Sequence, residues 1–225
     1  RIIDYSVEKA LNSKLFQKII IVTNNIGRFK NEKYHKIVSI VKGGKERSDS
    51  SFLALKYLKK FKPKNVLIHD AARPDFSIKL LRKLIEQLRY NKAVIPYVRS
   101  KDAIKYKVKN KLFNLNRDKA FLTQTPQAFR YNKLYNLSAK ENGKITDEAS
   151  LFINNNYKVK FINGENLNNK ISKKIFKTNK YCKLVSFNSI KLLSMNVKNV
   201  KKPINSVILD RIIMSIFFFK NSNII

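Results

Sequence analysis

Two kinds of hydrophobic pattern alternate along the chain. In DYSVEKALNSKLF (4–16) apolar groups fall at Val7, Ala10, Leu11 and Leu15, the spacing of one helix face. KIIIVTNN (18–25) is instead a continuous β-branched run, short and suited to a strand buried on both faces. HKIVSIV (35–41) predicts a second strand, ending at Gly43-Gly44 where backbone freedom is needed. SDSSFLALKYLKKF (48–61) predicts an amphipathic helix with Ser or Asp as its N-cap and Pro63 beyond its end. VLIHD (66–70) predicts a buried strand, FSIKLLRKLIEQL (76–88) a helix and AVIPYV (93–98) a strand. Such alternation argues an α/β fold, a parallel sheet with helices on both faces.

The pattern changes over 99–123. DAIKYKV (102–108) and KLFNLN (111–116) alternate around Lys109-Asn110 and predict a β-hairpin. In TQTPQAF (123–129), Pro126 argues against a central strand and for an extended turn. YNKLYNLSAKEN (131–142) predicts a helix ending at Gly143, and ITDEASLFINNN (145–156) another, capped by Thr146 or Asp147. YKVKFING (157–164) is the last strand the pattern supports. From Lys173 the only acidic residue is Asp210 and no amphipathic period holds. The apolar stretch Ile212 to Phe219 is too short to cross a bilayer. Residues 173–225 therefore read as a divergent tail without a recognisable domain.

Composition narrows the function classes. With 44% apolar residues in 225, the chain can bury a core, which excludes wholesale disorder. A single cysteine, Cys182, excludes a disulfide framework, and two histidines, His35 and His69, leave little for histidine-rich metal chemistry. No run of 18 apolar residues and no signal peptide are visible, so a cytoplasmic location is the expectation. The net charge of +33 raises nucleic-acid binding. Against it, only ten of the basic residues are Arg, and the lysines are spread evenly among abundant Asn and Ile, as AT-rich codon usage would produce.

Polar constellations fall where strands should end, the place where α/β sheets bind ligands. GGKERSDS (43–50) sets a glycine turn before Arg47 and Ser50 at a helix start, suited to an anion or a base edge. HDAARP (69–74) puts Asp70 directly after an apolar strand, where a carboxylate can hold a magnesium ion bridging phosphates, with Arg73 three residues on. His69, the last strand position, reads as a packed, hydrogen-bonded residue. ITDEAS (145–150) and NNKIS (168–172) add hydroxyls, carboxylates and Lys170, a point charge for phosphate.

In this order, GGKERSDS, HDAARP, IKYKV with NLNR, TQTPQAF, ITDEAS and NNKIS resemble the 2-C-methyl-D-erythritol 4-phosphate cytidylyltransferase family, from about Ile2 to Ile171. The resemblance implies a Rossmann-like nucleotidyltransferase sheet over residues 1–172 and a homodimer whose β-arm, about 99–122, reaches over the partner. It implies CTP and methylerythritol 4-phosphate as substrates, Mg2+ as cofactor and pyrophosphate as product. Position by position, Gly44, Arg47, Ser50, Asp70 and Ala71 match CTP-binding residues, and Asp70 the metal ligand. Arg117, Thr146 and Lys170 match contacts to the substrate phosphate. Arg73 and Thr125 match supporting positions, and Asp70 and Lys170 carry the catalytic roles. A relative acting on another polyol phosphate, such as ribitol 5-phosphate, is the alternative within the same chemistry.

Departures from the pattern carry their own expectations. The family's first strand and Gly-rich PAAGxGxR loop have no counterpart after Arg1, so a polypeptide of these residues is expected to be inactive, with an unpaired edge in its sheet. The arm's Asp-Thr-Ile-Lys is here Asp102-Ala103-Ile104-Lys105, and the closing Lys-Ile/Val-Thr is Lys170-Ile171-Ser172. No His follows His69, so the Asp-x-His metal site of a fused cyclodiphosphate synthase domain has no match in these residues.

Overall fold

In the computed structural model, residues 1–29, 36–141 and 145–171 are described, together with the backbone of 212–219. The predicted alternation runs through its first half: α1 (Ile2–Ser13), β1 (Lys18–Thr23), β2 (Val38–Lys42), α2 (Arg47–Leu58), β3 (Asn65–His69), α3 (Ile78–Gln87) and β4 (Ala93–Val98). β5 (Ile104–Val108) and β6 (Lys111–Leu115) then form the hairpin, turning at Lys109, whose φ is 49°. β7 (Leu122–Thr123), β8 (Gln127–Arg130), α4 (Tyr131–Lys140), α5 (Glu148–Asn154), β9 (Lys160–Asn163) and β10 (Ile212–Phe219) complete the elements. Two units are distinguished, Arg1–Asn169 with Arg211–Ile225, and Lys170–Asp210; the sheet belongs to the first. His35, Gly143, Ser172 and Cys182, and the tail apart from β10, lie outside the described residues.

The main sheet has eight strands in the order β2-β1-β10-β3-β8-β4-β7, with β9 also on β4. β1 is parallel to β2 and β4 to β9, while β10 and β8 are antiparallel to both their neighbours. It follows that β1, β2, β3, β4 and β9 run one way, and that β7, β8 and β10 oppose them. Five of the eight strands share one direction, as the mostly parallel expectation requires, while of the ladders between neighbours only β1–β2 and β4–β9 are parallel, so the sheet is mixed.

Continuous apolar runs are explained by burial on both faces. From β1, Ile20 and Val22 face one side with Val66 and Ile68 of β3, packed on Ala54, Leu55 and Leu58 of α2, Leu134 of α4 and Phe152 of α5. Ile19 and Leu67 face the other, against Leu80, Leu81 and Leu84 of α3 and Ala10 of α1. Each buried Val, Leu, Ile or Phe among them contributes about 1.5–3 kcal/mol of burial free energy, so the helices are fixed to the sheet by these two layers. Among the described residues, no helix is long and apolar enough to cross a membrane.

Three local expectations are corrected. Pro126 does not keep its segment out of the sheet: Gln127–Arg130, directly after it, is a central strand between β3 and β4. Proline lacks only its own N–H, and the ladder begins one residue later. The N-cap of α2 is Glu46, ahead of both Ser48 and Asp49, with its N–H donating to Asp49 Oδ2 at 3.0 Å. Finally, β10 stands between β1 and β3, so the unpaired edge expected beside these strands is absent. No period announces this strand, because a central position tolerates apolar residues on both faces.

Candidate active site

The carboxyl end of β3 is the focus. Asp70 follows the strand, and Arg73 donates its N–H to the Asp70 carbonyl at 3.0 Å, closing the AARP turn. The Asp70 N–H donates to Thr125 Oγ1 at 3.0 Å, which ties the turn to the TPQ segment. Thr125 Oγ1 also lies 3.2 Å from His69 Nδ1, and Ser6 Oγ of α1 lies 3.4 Å from its Nε2. His69 is fully buried, edge-on to Phe76, and burial lowers its pKa to about 3, with the Asp70 carboxylate opposing. It is therefore the packed, hydrogen-bonded residue that the sequence suggested, and it is neutral near pH 7.

Two helix starts converge on Asp70. Arg47, the first residue of α2, donates Nη1 and Nη2 to the two oxygens of Glu148 at 3.0 and 2.7 Å, and Nε to Asp70 Oδ1 at 3.4 Å. Glu148 opens α5, capped by Asp147, whose Oδ1 accepts from the Ser150 N–H at 3.1 Å. Burial works against the Arg47 charge, but attraction to Glu148 and then Asp70 outweighs it, and the Arg47 pKa is raised. Ahead of α2, the Gly44 N–H donates to Ser50 Oγ at 3.0 Å, and that hydroxyl donates to the Glu46 carbonyl. A Cβ at Gly44 would stand 2.3 Å from Asp49 Cβ, so only glycine lets the turn press this closely on the helix.

On the other side of Asp70, Arg73 Nη1 donates to the Asn168 carbonyl at 2.8 Å, and Asn168 Nδ2 donates to the Thr125 carbonyl at 2.8 Å. Burial lowers the Arg73 pKa, with Asp70 opposing. Arg73 Nε and Asn168 Oδ1 are buried without a hydrogen-bond partner among the described residues. Buried polar atoms are normally satisfied, so these two mark where a water or a polar ligand atom fits.

Gly44, Arg47, Ser50, Asp70, Ala71, Arg73 and Thr125 thus come together around the ends of β1 and β3. Ala71 is buried beside Ile3 and Val7 of α1, so its side chain packs inward. Thr146 is exposed, next to the Asp147 cap. Arg117 lies on the exposed arm, its Nη1 donating to the Lys101 carbonyl at 3.0 Å. Lys170 belongs to the second unit. The sequence reading missed Glu148 and Asn168; the only signal for them was their place inside TDEAS and NNKIS. Among the described residues no group of three or more His, Cys, Asp or Glu could hold a metal. A lone strand-end carboxylate suits Mg2+, which is commonly held by one carboxylate and substrate phosphates.

A mixed α/β sheet with a glycine turn, a helix start and a carboxylate at its strand ends defines a protein of the nucleotide-binding class. Comparison with known proteins is specific. The profile of IspD, 2-C-methyl-D-erythritol 4-phosphate cytidylyltransferase, matches residues 1–176, and the chain belongs to this family of nucleotidyltransferases. It is 44% identical over 169 residues to the bifunctional enzyme IspD/IspF of Pelagibacter ubique, covering 75% of this chain and 46% of that protein. The chain thus spans about half the length of this bifunctional relative. It is 37% identical over 186 residues to the 2-C-methyl-D-erythritol 4-phosphate cytidylyltransferase of Dictyoglomus thermophilum, covering 77% of this chain and 80% of the relative. The crystal structure of 4-diphosphocytidyl-2C-methyl-D-erythritol synthase from Anaerococcus prevotii superposes with a TM-score of 0.71 at 33% identity, covering 77% of this chain and 82% of that one.

Proposed function

We propose that this site transfers CMP from CTP to methylerythritol 4-phosphate with release of pyrophosphate. One observation supports the reading most: the Gly44 turn, Arg47 and Ser50 at the start of α2, and Asp70 at the end of β3 converge within the matched residues. In this reading Gly44, Arg47, Ser50 and Ala71 border the nucleotide. Asp70 would hold Mg2+, which supplies neutralisation of the triphosphate charge when bound. Arg73, anchored on Asn168, and Thr125, bonded to the Asp70 N–H, keep that carboxylate in place.

A phosphate oxygen of the polyol attacks the α-phosphorus of CTP. One P–O bond forms as the bond to the α,β-bridging oxygen breaks, and pyrophosphate leaves with that electron pair. The nucleophile is already an anion, so no side chain has to take a proton, and positioning and charge supply the rate. Thr146 would hold the polyol phosphate, Arg117 of one protomer would reach it across a homodimer, and a phosphate-binding role for Lys170 follows from the resemblance alone. The arm supports that assembly, because Leu112, Val108 and Phe113 are 72%, 52% and 41% exposed in the single chain. A cytoplasmic location is the reading that goes with this CTP-dependent reaction.

The test is pyrophosphate release from CTP and methylerythritol 4-phosphate with Mg2+, in a polypeptide carrying a PAAGxGxR segment ahead of Arg1. Asp70→Asn is expected to lower the rate at least tenfold, about 1.4 kcal/mol. An unchanged rate removes Asp70 from the site. The 225-residue polypeptide is expected to be slower than the extended one by more than about a thousandfold. Equal rates would make the added loop dispensable.

A further inference from the structure

We propose that Glu148 is a positioning residue that takes up the Arg47 fork and so leaves Asp70 able to bind a divalent cation. The proposal rests on the reading of Asp70 as the metal-bearing carboxylate. An arginine offers two parallel donors that match a carboxylate, and the pairing is strongest when both are used. Arg47 stands between two carboxylates and divides itself unequally. Its two terminal nitrogens are at 3.0 and 2.7 Å from Glu148, and only Nε, at 3.4 Å, reaches Asp70.

The unequal division follows from how each partner is held. The Glu148 side chain is 1% exposed and the Asp70 side chain 12%, so Glu148 has the greater need of a cation. Glu148 is also fixed from behind. It opens α5, and the capping Asp147 accepts from Thr123 Oγ1 at 3.3 Å and Gln127 Nε2 at 2.9 Å, which joins the helix start to β7 and β8. Asp70 meanwhile lies within the field of a second cation, Arg73. Without the Glu148 carboxylate it would face two uncompensated guanidinium groups and could receive the full Arg47 fork. A carboxylate neutralised in that way is a poor ligand for Mg2+. Glu148 cancels one of the two positive charges and holds the fork aside, without touching metal or nucleotide itself.

The test is binding of Mn2+ alone, without nucleotide because Arg47 itself borders CTP in the proposed reading, followed by electron paramagnetic resonance on the full 225-residue chain. The Glu148→Gln variant, with a cooperative melt, is expected to bind Mn2+ at least tenfold more weakly than the native chain. Adding Arg47→Gln to Glu148→Gln removes the competing fork and is expected to restore most of that affinity. A purely structural role for Glu148 predicts the reverse, a double variant no better than the single one. Native-like affinity in Glu148→Gln, or no recovery in the double variant, would overturn the proposal while leaving the Asp70 reading intact. Equal Mn2+ binding by the native chain and Asp70→Asn would instead overturn the reading on which it rests. A further measurement needs no change at Glu148: in Asp70→Asn the Arg47 Nη proton resonances should stay resolved, because their partner is Glu148. Their collapse would refute the assignment of the fork.

Discussion

Acidification from pH 8 to pH 5 should destabilise the fold by about 2 kcal/mol through His69 alone. The side chain is fully buried, and burial, the largest influence on it, lowers its pKa from 6.5 to about 3. In the unfolded chain the ring takes a proton as pH falls through about 6.5, whereas in the folded chain it stays neutral until about pH 3. The unfolded state therefore binds about one more proton in this window, and each pH unit costs the fold about 1.4 kcal/mol. The stabilisation is complete above about pH 6.5 and is lost progressively on the way down. At pH 5 the accumulated loss of about 2 kcal/mol is large beside a net stability of about 5–15 kcal/mol. Urea denaturation at pH 8, 6 and 5, followed by far-ultraviolet circular dichroism, measures it. The native chain and His69→Asn are compared, and His35, common to both, cancels. His69→Asn is expected to be weaker at pH 8 but flatter between pH 8 and pH 5. The same pH dependence in both proteins, or a His69 ring that titrates near 6.5 in the folded chain, would refute the argument.

Gly44→Ala places a Cβ 2.3 Å from Asp49 Cβ, and overpacking of this kind costs about 1–3 kcal/mol. CTP titration should show at least tenfold weaker binding, with the sheet's circular dichroism unchanged. Phe129→Ala, at a fully buried ring stacked 5.2 Å from Phe152, should lower stability by about 3–5 kcal/mol in denaturant titration. If the arm mediates the proposed dimer, Leu112→Glu with Phe113→Glu, on the exposed arm, should convert it to a monomer in sedimentation at micromolar concentration, with little change in Tm. A native chain that sediments as a monomer would remove the arm exchange and the cross-subunit role of Arg117.

Sequence pattern carried the first half of the fold because periodicity and burial agree there. β1, β3 and α3 each bury what their spacing says they must, and Asp70 falls at a strand end because the apolar run 66–68 and the buried His69 lead directly to it. Legibility failed where the deciding interaction is distant in sequence. β8 is only four residues long and follows a proline, and its place comes from pairing with β3 and β4, which no local window contains. Glu148 is equally invisible locally. An acid in the first turn of a helix is usually a solvated end, and only the approach of Arg47, a hundred positions earlier, makes it a buried partner. The Glu46 cap was missed because Ser48 and Asp49 are stronger capping types, and the side chain of Asp49 serves the helix as a third-position acceptor instead.

The antiparallel strand at the centre of the sheet also sets the order in which the molecule can assemble. β1 and β3 share no ladder with each other; each pairs with β10, so Lys18 meets Phe218 and Asn65 meets Phe219. Contacts between such distant residues carry the largest loop-closure cost and form late. The nearer pairings, β1 with β2 and β3 with β8 and β4, can form first as two separate half-sheets, each presenting an open edge to the other. Synthesis must pass residue 219 before those edges are joined, and until then the strand ends that carry Asp70 and the glycine turn stand on different pieces of sheet.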